Sequence, residues 1–218
     1  GRLLRSDYNG RGILLSGLPG VPAPAVVIVG GGTLGSNAAR ALIGVGAEVT
    51  VLDQDPRKLQ NLYDTLNGRV TTMFANELNL KRATLFADVL IGAASKSGRR
   101  APIVVSREMV KQMRRGSVII DYAIDEGGCV ETSRPTSLRN TTYIAEGIIH
   151  HCVPNMTAAY GRTTSYAITN AALPYLLAVG EGDILSASEQ MPALKRGITL
   201  VNGRLVHQEV AQALGQSI

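Results

Sequence analysis

"VVIVGGGTLGSNAARALIGVGAEVTVLDQD", residues 26–55, decides how the rest of the chain is understood. A β-branched apolar run meets three consecutive glycines, then a helical pattern, then a second apolar run ending on Asp53. Gly30, Gly32 and Gly35 form G-x-G-x-x-G between a strand and a helix. Each has its own physical task. Gly30 permits the tight turn, Gly32 removes the Cβ that would block a pyrophosphate, and Gly35 lets the helix lie close on the strand. Backbone N–H groups and the positive helix end then face the anion. Asp53 closes the second strand, where a carboxylate accepts hydrogen bonds from a ribose 2′-hydroxyl and repels a 2′-phosphate, so NAD is expected rather than NADP. Arg57 and Lys58 follow closely enough to complicate that choice, and the competing reading is that they cover the adenine side. The alternative is a fold of the same kind that keeps its glycines for packing alone.

Working outward, short apolar runs recur at 25–30, 48–53, 69–74, 87–93, 117–123 and 141–148. Helical patterns separate them at 34–46, 56–66, 79–86 and 106–113, the last opened by Ser106 as N-cap. Strands that are apolar on both faces and alternate with helices predict a doubly wound α/β fold, a parallel Rossmann sheet covered on both sides. After about residue 163 the alternation stops. A long helical stretch, a polar connection, a hairpin over "GITLVNGRLV" turning at Asn202-Gly203, and a helix over 206–214 follow. The expected division is a Rossmann nucleotide-binding domain over 1–162 and a helical arm over 163–218.

Composition excludes several functions. The chain has 218 residues, of which 45% are apolar and 18% charged, enough for one good core or one domain and part of a second. Its apolar runs fall short of a membrane span and residues 1–20 lack a signal-peptide layout, so no membrane association and a cytoplasmic location are expected. The net charge of +5 is scattered, and with 4% aromatic residues and no Trp it reads as a solvated surface, not a nucleic-acid groove. Cys129 and Cys152 are the only cysteines and lack metal-site spacing, so two reduced, half-buried thiols are expected. His150 and His151 neighbour Cys152, but adjacent residues of an extended segment face opposite ways, and no metal site is expected.

Two further stretches, "GSVIIDYAIDEGGCVETSRPT" (116–136) and "HHCVPNMTAAYGRTTSYAITNAALPYLL" (150–177), resemble the alanine dehydrogenase and pyridine nucleotide transhydrogenase family. The resemblance runs from about residue 10 to the C-terminus and leans towards the dehydrogenases. It implies an oxidoreductase that deaminates L-alanine to pyruvate with NAD, acting as an oligomer on a small amino-acid or 2-oxo-acid substrate. By the same resemblance Asp125 lies near the nicotinamide and substrate, Asn155 reaches towards substrate, and Met156 packs on the nicotinamide side. Thr33 and Leu34 match the pyrophosphate loop, Lys58 a position flanking adenosine, and Asn76 a position often filled by serine. Ser95, Ile124 and Val153 complete the implied cofactor-binding set.

The resemblance also exposes departures. Members of the family carry a substrate domain of more than a hundred residues ahead of this region, holding the catalytic lysine and histidine. Those residues have no counterpart here, so the chain taken alone is expected to bind NAD without turnover. Ala94–Pro102 read "ASKSGRRAP", with Ser95, Lys96 and Ser97 where the family has apolar residues, which predicts a wetter and more cationic loop. Two alternatives stand beside the dehydrogenase: the NAD-binding component of a proton-translocating transhydrogenase, and a non-catalytic NAD-binding module.

Overall fold

The structure, a computed structural model, describes residues 1–96 and 99–217, which pack as two compact units. The first holds residues 1–96 and 100–154, and the second holds Arg99 with residues 155–217. The division falls at Pro154, ahead of the boundary drawn after 162 from the sequence pattern, so Asn155 and Met156 belong to the second unit.

Seven strands build the first unit: β1 (Ala25–Val29), β2 (Glu48–Asp53), β3 (Thr71–Phe74), β4 (Val89–Gly92), β5 (Val118–Asp121), β6 (Thr142–Ala145) and β7 (Ile148–His151). Their order across the sheet is β3-β2-β1-β4-β5-β7-β6, with every pair parallel except β6 on β7. Helices α1 (Thr33–Gly44), α2 (Pro56–Thr65), α3 (Glu77–Phe86) and α4 (Arg107–Gln112) connect the parallel strands. Alternation along the central strands feeds two cores. Val27, Val29, Leu52, Leu90 and Ile119 join one, while Val26, Ile28, Val51, Ile91 and Val118 join the other. Both faces are apolar because both are covered.

Local chemistry sets the helix starts. Asp55 accepts a hydrogen bond from Arg57 N at 2.9 Å with Pro56 at the first helical position, and Ser106 accepts from Met109 N at 3.3 Å. At the amino end of the sheet Asp88, nearly buried, accepts from Ala25 N at 2.9 Å and pairs with Arg11 and, at 3.9 Å, with Arg114. That carboxylate ties the N-terminal segment to β1 and β4.

Three expectations change. The sequence pattern gives one strand over 141–148, whereas the backbone turns at Glu146 (φ 53°) and Gly147 (φ 79°) into a β6–β7 hairpin. Two left-handed residues suit a tight hairpin, but Glu-Gly lacks the usual Asn-Gly signal. The expected half-buried thiols are fully buried, with Cys129 and Cys152 both at 0% exposure. Finally, the polar connection after 180 contains two short helices, described next.

The second unit opens with a 3-10 turn (Met156–Tyr160) that runs into α5 (Gly161–Gly180), a 20-residue helix with no buried residue. Then come α6 (Ile184–Gln190) and α7 (Pro192–Gly197), whose seven and six residues are too short for a helical period to show in sequence. Asp183 caps α6, accepting from Leu185 N at 2.8 Å and Ser186 N at 3.1 Å. The hairpin β8 (Leu200–Val201) and β9 (Arg204–Leu205) turns at Asn202-Gly203 as predicted, and α8 (Gln208–Ala213) ends the described chain.

Two stability predictions follow from this packing. Leu90, fully buried on β4, leaves a cavity when cut back, so Leu90→Ala lowers unfolding free energy by about 2–5 kcal/mol in urea titrations. His150 is also fully buried, with Nδ1 3.0 Å from the Ile148 carbonyl and Nε2 2.8 Å from Thr132 Oγ1. Burial holds its pKa below the ordinary value, and burial does the same to His151. As pH falls below about 6.5 the unfolded chain takes up protons that the folded chain refuses, so stability drops on the acid side of that value. Melting temperatures from pH 7.5 to 5 show a smaller drop in His150→Gln than in wild type.

Candidate nucleotide site

The glycine loop has the geometry its spacing implies. Gly30 sits at φ 112°, and a Cβ there would lie 2.4 Å from the Ala93 carbonyl oxygen at the end of β4. A Cβ at Gly35 would lie 1.9 Å from the Gly30 carbonyl oxygen and 3.3 Å from Ile28 Cγ2. Those two glycines let backbone touch backbone. Gly32 differs, since among the described residues a Cβ there meets nothing within 4 Å. The protein leaves that space open, which fits a phosphate brought close to the chain. Helix α1 begins at Thr33 without a side-chain cap from Gly32, and Thr33 and Leu34 lie in its first turn, where a helix carries N–H groups with no partner inside the helix.

Asp53 stands at the end of β2 with its side chain mostly covered. Oδ2 accepts from Gly31 N at 2.7 Å, Oδ1 accepts from Asp55 N at 2.8 Å, and Lys58 Nζ lies 3.7 Å from Oδ2. Sequence assigned Asp53 to a ribose; the structure adds that it fastens the glycine loop to the second strand. Arg57 and Lys58 are both exposed, Arg57 bonded to Asp55 at 3.2 and 3.1 Å and Lys58 paired with Asp53.

The remaining candidates divide by location. Ile124 and Asp125 ride on a 3-10 turn (Tyr122–Glu126) at the carboxyl end of β5, with Ile124 buried and Asp125 exposed. Ser95 and Lys96 follow β4 and are exposed, while Ser97 lies outside the described residues. Val153, buried, continues from β7. Thus the loop glycines, Asp53, Ser95, Asp125 and Val153 all follow carboxyl ends of parallel strands, where such sheets bind ligands. Asn76 caps α3, its Oδ1 accepting from Asn79 N at 2.8 Å. In the second unit Asn155 takes a left-handed conformation, φ 47°, and Met156 beside it is half-buried. Among the described residues no group of three or more His, Cys, Asp or Glu could hold a metal ion, and no helix is long and apolar enough to cross a membrane.

A family profile described as "Alanine dehydrogenase/PNT, C-terminal domain" matches residues 1–208. The chain belongs to this family. Alanine dehydrogenase from Methanococcus maripaludis is 44% identical over 96% of this chain and 57% of its own length. A solved L-alanine dehydrogenase superposes with TM-score 0.89 and 42% identity, covering 98% of this chain and 59% of that one. A transhydrogenase from Sinorhizobium meliloti, at TM-score 0.69 and 22% identity over 89% of this chain and 53% of its own, shares the fold. This member of the alanine dehydrogenase/PNT family therefore spans a little over half the length of the curated relatives it matches.

One residue of this crevice escaped the sequence analysis. Asp121 ends β5 and is completely buried, yet it carries no motif of its own and looks like any polar residue closing an apolar strand. Its neighbour in the sequence, Asp125, drew attention only through the family resemblance.

The glycines give a paired prediction. Gly35→Ala drives a Cβ into backbone and lowers both melting temperature and dinucleotide affinity. Gly32→Ala fills space that the protein leaves open, so folding stability stays within about 1 kcal/mol while dinucleotide affinity falls at least about tenfold. Thermal melts with calorimetric titration separate the two, and a Gly32→Ala protein that bound as wild type would remove that glycine from the phosphate site.

Proposed function

We propose that this chain is the NAD-binding part of an alanine dehydrogenase, in which L-alanine and water give pyruvate, ammonium and a proton as NAD⁺ takes up a hydride to become NADH. The observation that carries the proposal is the loop held between Asp53 and Gly31, with open space at Gly32, in a chain 42–44% identical to alanine dehydrogenases. NAD, when bound, supplies the hydride acceptor. Gly30, Gly32, Thr33, Leu34 and Gly35 receive the pyrophosphate on backbone N–H groups. Asp53 accepts from the adenosine ribose and disfavours a 2′-phosphate, and Lys58 flanks the adenosine. Ser95, Ile124 and Val153 border the nicotinamide side, where Asp125 brings a carboxylate to the reacting region. Asn155 and Met156 are assigned to substrate and nicotinamide on the family resemblance, and Asn76, besides capping α3, is assigned to the cofactor on the same ground.

The domain scheme belongs to the same proposal: a nucleotide domain over 1–162 and an arm over 163–218 that packs on a substrate domain. Along α5, Tyr166, Leu173, Leu176 and Leu177 are exposed and share one side of the helix, a face suited to burial against another domain or subunit. A homo-oligomer in the cytoplasm that acts on a small amino or 2-oxo acid, without nucleic acid or membrane, completes the proposal.

Three measurements test it. Asp53→Ala weakens NAD binding by about 1.5–3 kcal/mol, because a charged acceptor is lost, and weakens NADP binding less; equal losses would remove Asp53 from the ribose. The 218-residue chain binds NAD but shows no alanine-dependent NADH absorbance, and sustained NADH formation would mean that these residues alone complete the reaction. A chimera in which this chain replaces the matching part of the Methanococcus maripaludis enzyme reduces NAD with alanine. A chimera that folds and binds NAD without turnover would favour the non-catalytic module.

A further inference from the structure

Three backbone N–H groups converge on one buried side chain at the carboxyl end of β5. Asp121, at 0% exposure, accepts from Ala123 N at 3.0 Å through Oδ1, and from Cys129 N at 2.9 Å and Val130 N at 3.1 Å through Oδ2. The Cys129 thiol adds a contact at 3.5 Å. Ala123 lies at the start of the loop, and Cys129 and Val130 lie where it returns. One side chain therefore closes both ends of the segment that carries the buried Ile124 and the exposed Asp125.

Two glycines keep room for that closure. A Cβ at Gly92, on the adjacent strand β4, would lie 2.6 Å from Cys129 Sγ and 2.9 Å from Asp121 Oδ1. A Cβ at Gly128, where φ is 83°, would lie 3.0 Å from Asp121 Oδ2. Inside the loop, Gly127 N donates to the Ile124 carbonyl at 3.0 Å and Gly128 N to the Ala123 carbonyl at 2.9 Å. An ordinary helix cap satisfies one or two N–H groups from one side chain at the helix start. This one reaches across the loop as well, and it needs acceptors at both side-chain oxygens.

We infer that Asp121 is the positioning residue of the nicotinamide end of the crevice, holding the 122–130 loop so that Ile124 and Asp125 face the bound cofactor. The inference rests on the nucleotide-binding function proposed above. Its physical basis is the count of acceptors. Asparagine has the same shape but only one side-chain oxygen; its NH2 group must face either Ala123 N–H or the Cys129 and Val130 N–H groups. A buried donor left facing a donor is costly enough to move a loop. The pyrophosphate and ribose contacts sit on β1, α1 and β2 and do not depend on this closure.

The test compares two ligands on one protein, in wild type and Asp121→Asn. NADH carries both halves of the cofactor, and ADP-ribose lacks the nicotinamide. Asp121→Asn weakens NADH binding about tenfold or more and removes the rise in NADH fluorescence on binding, while ADP-ribose affinity changes less than about twofold. Gly128→Ala, which keeps the carboxylate but crowds Oδ2, gives the same split and serves if Asp121→Asn folds poorly. Equal losses for both ligands, or none for either, in a variant that melts as a folded protein would overturn the assignment. Hydrogen exchange on the ligand-free chain reads the closure itself. Amides of Ala123, Cys129 and Val130 exchange faster in Asp121→Asn, whereas Gly31 and Asp55, held by Asp53, do not; unchanged protection at the first three would also overturn it. A wild-type chain that bound neither ligand would instead defeat the nucleotide-binding function, and the exchange pattern would still decide whether Asp121 holds the loop.

Discussion

The hydrogen bond from Gly31 N to Asp53, at 2.7 Å, joins the turn after β1 to the end of β2, and the proposed nucleotide site depends on it. A glycine-rich turn has many conformations available and loses more entropy on ordering than any other sequence. Here three constraints select one. Asp53 grips the turn from the side, Gly30 lies against the Ala93 carbonyl of the neighbouring strand, and Gly35 lies over the Gly30 carbonyl. The start of α1 is thereby aimed before any ligand arrives, which reduces the ordering cost of binding.

The two ends of the sheet divide the work. At the amino end a buried carboxylate, Asp88, collects Arg11, Arg114 and the Ala25 amide, and every partner is protein. At the carboxyl end the first-turn N–H groups of α1 and the exposed Asp125 face outward. At the amino end the buried carboxylate ties the chain to itself, and at the carboxyl end Asp53 and Asp121 tie down the loops beside which Asp125 stays exposed. A parallel sheet enforces this asymmetry because all its strands from β1 to β5 point the same way.

What could be read from sequence follows from how local each cause is. Gly30, Gly32, Gly35 and Asp53 belong to a single βαβ unit, and their spacing along that unit is itself the signal. The Rossmann sheet was legible for the same reason, since a run such as 26–29 is apolar on both faces. The β6–β7 hairpin was not, because its turn uses Glu146-Gly147, and glutamate gives no hint of a left-handed conformation. Helices α6 and α7 are too short to show a period. Asp121 was hidden for a deeper reason: its partners lie two, eight and nine residues away on a loop that closes only in three dimensions. Asn76 shows the converse, a residue whose cap on α3 is plain in the structure while its resemblance to a cofactor position is not a matter of local chemistry.

The buried thiols have a consequence of their own. Cys129 and Cys152 have no exposed surface, and burial is the first cause that pushes both thiols above the usual range, so the folded protein presents almost no thiolate to a reagent. Cys129 packs under β4 and β5, and Cys152 follows β7. A thiol reagent can reach them only when that half of the sheet opens. Alkylation of the native protein thus acts as a clock for opening: with fast reclosing, the labelling rate measures the free energy of the open state, and with slow reclosing it measures the rate of opening itself. The two sulfurs report on the half of the sheet beyond β1, Cys129 beside the β4 end that supports the glycine turn and Cys152 after β7, and they do so without any probe being added to the chain.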